Sequence, residues 1–141
     1  GIIYEEQKKA REAAEEFKAA VSINPDYPEA LNSLGYIYAE QGVNLGQAQE
    51  LIKKALELDP VNPAYIDSLG WVYFKKGDYE AAIKELERAI SLMEDPVIYD
   101  HLGDAYFQKG VLDKARENWE RSLKLDEKQE SVRKKIEGLD K

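Results

Sequence analysis

Four times along the chain a glycine is followed three residues later by a tyrosine: GIIY at 1–4, GYIY at 35–38, GWVY at 70–73 and GDAY at 103–106. The glycines stand 34, 35 and 33 residues apart. A period of that size marks a chain built from small stacked units, each too small to bury its own apolar face. A second set of positions recurs behind each copy. Alanine comes at Ala13, Ala48, Ala82 and Ala115, and four residues on stands a bulky group, Phe17, Ile52, Leu86 or Trp119. Three further on is a small residue, Ala20, Ala55, Ala89 or Ser122, beside an aliphatic one, Val21, Leu56, Ile90 or Leu123.

Spacings of three and four are the period of one helical face. They are broken at regular places by turn chemistry. Gly42, Gly77 and Gly110 are predicted to stop the first helix of a unit, the last two behind KKG and QKG, because glycine reaches the left-handed backbone of a helix C-terminus without strain. NPDYP, DPVNP and EDP then close one unit and open the next, since a proline at the start of a helix sacrifices no intrahelical hydrogen bond. Each unit therefore reads as helix, tight turn, helix, short proline turn. The predicted divisions are a partial first unit over 1–27 (the end of a first helix and a second helix), units over 28–62, 63–95 and 96–127, and a capping helix over 128–141. GVNLGQA has one residue more between its glycine and its alanine than GDYEAA, so the turn of the second unit should be looser. Gly35, Gly70 and Gly103 sit in mid-helix, where glycine costs about 1 kcal/mol relative to alanine. Close backbone approach to Ala48, Ala82 and Ala115 is the expected compensation.

These residues carry a family likeness: the chain resembles the tetratricopeptide repeat proteins. SLGYIYAEQG, SLGWVYFKKG and HLGDAYFQKG match the first helix of that family's repeat, and EAAIKELERAISL and KARENWERSLKL its second. The resemblance implies an all-α fold, a right-handed superhelix (α-solenoid) of antiparallel helix pairs. At the end, Val132, Ile136 and Leu139 share one face of a last helix backed by Arg133, Lys134, Lys135 and Glu137, as a solenoid cap requires. By the same likeness GIIY falls in the middle of a repeat's first helix, so the chain is expected to be a piece of a longer array.

In this family the first helices line a concave surface. The corresponding exposed positions are Ile2 and Glu5, then Asn32, Tyr36, Ala39 and Glu40, then Asp67, Trp71, Phe74 and Lys75, and last Asp100, Asp104, Phe107 and Gln108. Tyr36 and Trp71 draw most attention, because the repeat requires no large aromatic there and exposed Tyr and Trp are enriched at binding hot spots; the plainer alternative is that they stack within the wall. Phe74 and Phe107 are expected first of all as packing residues. The expected partner-binding set is Asn32, Tyr36, Asp67, Trp71, Phe74, Asp100, Asp104 and Phe107.

Composition narrows the chemistry. The 141 residues carry 20 basic and 28 acidic side chains, a net charge of −8, which disfavours non-specific binding to nucleic acid or anionic lipid. There is no cysteine, and no apolar run approaches the roughly 18 residues a membrane span needs. His101, the only histidine, has Asp100 and Asp104 nearby but lacks the three or four convergent ligands of a metal centre, and is expected to be solvated on the concave face. No nucleophile arrangement, phosphate loop or dinucleotide fingerprint occurs, so neither enzyme activity nor a cofactor is expected. Some relatives grip the acidic tail of a chaperone with a carboxylate clamp. Here the strip holds Asn32 but also Asp67, Asp100 and Asp104, with Lys75 as its main cation, and like charges would repel such a tail.

The expected function is thus a non-catalytic scaffold that holds a basic or neutral peptide or helix of a partner protein. The alternative is self-assembly through an uncovered apolar edge at Ile2, Ile3, Phe17 and Val21. The run from LNSLGYIYAEQG to GWVYFKKG is also similar to C-terminal repeats of large bacterial family members, some of them envelope adaptors, which leaves cytoplasm and bacterial envelope both open.

Overall fold

The computed structural model describes the backbone of residues 2–140 and the side chains of residues 5–140. Among these are eight helices and no strand: α1 (Ile2–Ile23), α2 (Pro28–Gln41), α3 (Leu45–Leu58), α4 (Pro63–Lys75), α5 (Tyr79–Leu92), α6 (Pro96–Lys109), α7 (Leu112–Leu125) and α8 (Glu130–Leu139). The punctuation in the sequence acts as its chemistry dictates. Pro28, Pro63 and Pro96 each stand first in their helix. Asn62 accepts from the backbone N–H of Ala64 and Tyr65, Asp78 from Ala81 and Asp95 from Val97, satisfying donors that a helix start leaves without partners. Gly42, Gly77 and Gly110 take φ values of +68°, +85° and +87° and end α2, α4 and α6. In the second unit the extra residue sits in the turn, where Asn44 adopts a left-handed φ of +50° ahead of α3.

Helices pair as α2 with α3, α4 with α5 and α6 with α7. The first helices also touch one another, α2 with α4 and α4 with α6, whereas no second helix packs comparably on the next among the described residues. That asymmetry makes α2, α4 and α6 one wall. α4 is its central strut, buried without a break from Tyr65 to Val72. The mid-helix glycines let the paired helices close up, although the group they meet first is not the alanine. An added Cβ on Gly35 would lie 2.7 Å from Ile52 and on Gly70 2.8 Å from Leu86, with the alanine carbonyls of Ala48 and Ala82 at 3.0 and 3.3 Å. At Gly103 it would lie 2.2 Å from the Trp119 indole. The bulky residue four places after each alanine is therefore the knob, and the glycine is its hole.

The first unit departs from the expected helix, turn, helix. Residues 2–23 form one unbroken helix. Seven residues after Gly1, where the other units have their stop glycines, stands Lys8, and the following KAREAAEE contains no breaker. Ile2 and Ile3, proposed for an uncovered edge, lie outside the described side chains; Phe17 and Val21 are half-buried against neighbouring core clusters. At the other end α8 packs Val132, Ile136 and Leu139 onto Ala115, Trp119 and Leu123.

Candidate functional site

The inner wall is a ladder of side chains that cross from one first helix to the next. Trp71 of α4 lies between Phe74 on its own helix, at a centroid distance of 4.6 Å, and His101 of α6, at 4.0 Å, stacked against both. Its indole N–H donates to Glu40 of α2, and Lys75 lies 5.3 Å from the centre of its ring. Below it, His101 Nδ1 and Asp67 Oδ1 are 2.8 Å apart. One turn on, Lys135 Nζ of α8 donates to Asp100 and stands 2.9 Å from Asp104. Asp104 also accepts from the Trp119 indole N–H at 3.2 Å.

Several of the positions expected to face solvent are in fact closed. Trp71 and Asp67 are each 7 % exposed and His101 5 %, so the histidine is a buried partner of Asp67 and Trp71 is part of the wall rather than a free platform. Ala39 is fully buried. The reason is geometric: the next first helix lies across the position that follows the repeat glycine, and spacing within one helix does not reveal that. Asn32 and Tyr36 are half-buried, as are Phe74, Asp100 and Asp104, while Phe107 is 43 % exposed. The Asn32 side-chain oxygen has no hydrogen-bond partner within the described protein.

Electrostatics follow from this packing. Burial, reinforced by Glu40, Asp67 and Asp100, pushes the Tyr36 hydroxyl well above its ordinary range, so it remains a neutral donor. Burial alone would lower the His101 pKa, but Asp67, with Asp100 and Asp104 behind it, outweighs burial and raises it. Asp104 is raised by burial, with Asp100 adding to the shift and Lys135 opposing it. Lys135 is pulled down by burial but raised on balance by its two carboxylate partners.

Two contributors escape the sequence reading, which has Trp119 only as a packing residue and Lys135 only on the solvent side of the cap. Lys135 is three residues beyond Val132 and four before Leu139, which places it on their face; that spacing is the available signal. Together with Phe74, Asp104, Phe107, Gln108 and Gly138, these two residues line an open cleft of about 460 Å³. Among the described residues, no group of histidine and carboxylate side chains could hold a metal ion, and no helix is long and apolar enough to cross a membrane.

Comparison with known proteins agrees with this architecture. Family models described as TPR repeat and tetratricopeptide repeat match residues 1–42, 28–62, 63–96 and 97–129. No curated protein sequence matches. Among solved structures, the chain is similar to TTC0263, a thermophilic TPR protein of Thermus thermophilus, with a TM-score of 0.81 and 23% identity over 94% of this chain and 74% of that one. It is similar to MamA at a TM-score of 0.73 and 28% identity, covering 94% and 77%. It is also similar to the first TPR of Spaghetti (RPAP3) bound to the HSP90 peptide SRMEEVD, at 0.73 and 23%, covering 80% and 90%. Repeat spacing, helix pairing and family models agree, and the chain belongs to the tetratricopeptide repeat family, an α-solenoid built for protein–protein interaction.

Proposed function

We propose that the chain is a non-catalytic scaffold whose inner wall, formed by α2, α4 and α6 and closed by α8, holds a short segment of a partner protein. The single observation that carries this is the cleft lined by Phe74 and Phe107, where aromatic surface stays open beside the carboxylate of Asp104. Phe107, Phe74 and Tyr36 are the contact residues in this reading, whereas the unpartnered oxygen of Asn32 lies beneath the surface. Trp71 acts from behind by fixing Phe74 and His101. With Asp67 buried against His101, the carboxylates of Glu40, Asp100 and Asp104 still outnumber the nearby cations Lys75 and Lys135, so the preferred segment is basic or neutral. The Spaghetti repeat is bound to a peptide that carries Glu-Glu and ends in Asp; on this chain such a peptide would meet like charges.

Panning a displayed random-peptide library on the wild-type chain and on Phe107→Ala tests the reading. Recovered peptides should be rich in basic and apolar residues, and truncation of an aromatic anchor should weaken them about tenfold, roughly 1.4 kcal/mol. Peptides that bind the folded variant equally well would place the site elsewhere. Submicromolar binding of SRMEEVD in calorimetry would reverse the charge preference.

A further inference from the structure

The cation at the end of the inner wall comes from outside the repeats. Asp100 and Asp104 project from successive turns of α6, with side chains only 21 and 18 % exposed, and two carboxylates so placed need a counter-charge. α6 does not provide one: His101 is engaged with Asp67 in the layer below. Instead the ammonium of Lys135 enters from α8. It stands 2.9 Å from each carboxylate and 5.9 Å from the centre of the Trp119 ring, so that charge and an aromatic face converge on it. Beside it the cleft opens, with the apolar walls of Phe74 and Phe107 and an edge at Gly138.

From this geometry we infer that the cleft and the carboxylate pair at its side form a receptor for a lysine side chain of the partner segment, and that the Lys135 ammonium occupies the carboxylate site in cis until the partner displaces it. The inference rests on the scaffold reading above. The fit is chemical: apolar walls suit the methylene stem and an apolar neighbour of the incoming lysine, while two carboxylates and an indole suit its ammonium. α8 is also suited to yielding. It has ten residues and a single fully buried side chain, Val132, and a helix of that length has little stability of its own. A tethered competitor acts at an effective concentration on the order of millimolar, so its removal should strengthen partner binding measurably.

The test uses the full chain, its Lys135→Met variant, and two capped peptides, Ala-Leu-Lys-Phe-Ala and the same sequence with norleucine in place of lysine. Binding is followed by calorimetry and by the Trp119 indole resonance. Lys135→Met should bind the lysine peptide about tenfold more tightly than wild type, the norleucine peptide should show no such gain, and adding Asp100→Asn with Asp104→Asn should abolish it. Lys135→Gln, which keeps a polar group at the site, gives a second reading should the methionine variant lose α8 helicity. Unchanged or weaker lysine-peptide binding by a folded variant overturns the inference. Library peptides that need Phe107 yet ignore both Lys135 and their own lysine would overturn it while leaving the scaffold reading intact; a library that yields no Phe107-dependent peptide sinks the scaffold reading itself.

Discussion

At the scale of single residues, the buried His101–Asp67 contact sets how the inner wall responds to pH. Its position is decided across helices: Asp67 and His101 are 34 residues apart, one repeat, so the pair couples two units rather than stabilising one. The carboxylates raise the histidine pKa above 6.5 despite burial. A group whose folded pKa is raised stabilises the fold fully below its unfolded value and loses that contribution as pH climbs through the folded one. Asp67→Asn should therefore cost about 1–3 kcal/mol, with the deficit larger in acid than in alkali when urea unfolding is compared on either side of the histidine titration. Because the chain has one histidine, its ring resonances can be followed without ambiguity; a pKa below 6.5 in the wild type, or a deficit that grows with pH, would contradict the assignment. Sequence alone placed Asp67 and His101 on first helices but could not say that they meet.

At the scale of elements, each helix pair is fitted through a glycine hole and a bulky knob. The three holes differ in how far the knob can yield. Ile52 and Leu86 are flexible aliphatic groups, whereas Trp119 is rigid and held through its indole N–H by Asp104. Gly103→Ala should cost about 3 kcal/mol and Gly70→Ala about 1–2 kcal/mol, within the range for overpacking. Gly46, on α3, has open space around the position of an added Cβ, so Gly46→Ala should gain up to about 1 kcal/mol from helix propensity. Thermal melts of the three variants give the ranking, and a Gly103→Ala protein as stable as Gly46→Ala would refute the knob and hole account. Helices α2 to α7 are legible in the sequence because the proline turns and the stop glycines agree with the apolar period. α1 is not, because the GIIY signature points to a hairpin although Lys8 holds the place of the glycine that would make the turn.

At the scale of the whole molecule, the main helix contacts among the described residues run between neighbours along the array, so stability should be graded from the centre outward. α4 is buried along most of its length, whereas α8 buries one side chain completely and α1 has a partner on one side only among the described residues. Native-state amide exchange should be slowest in α4, α5 and α6 and fastest in α1 and α8; uniform protection across all eight helices would show instead that the chain opens as a single unit. The amino-acid sequence by itself determined the repeat and the proline starts and glycine stops of three units, because each of these follows from local backbone preference and from the period of one helix face; which of its acidic groups belong to the inner wall came from the family likeness. Which wall residues are free to meet a partner was decided only by tertiary structure. Trp71 is covered by His101, and Asp100 and Asp104 are met by Lys135, because exposure at a given position depends on the helix that packs over it, one repeat or more away in sequence.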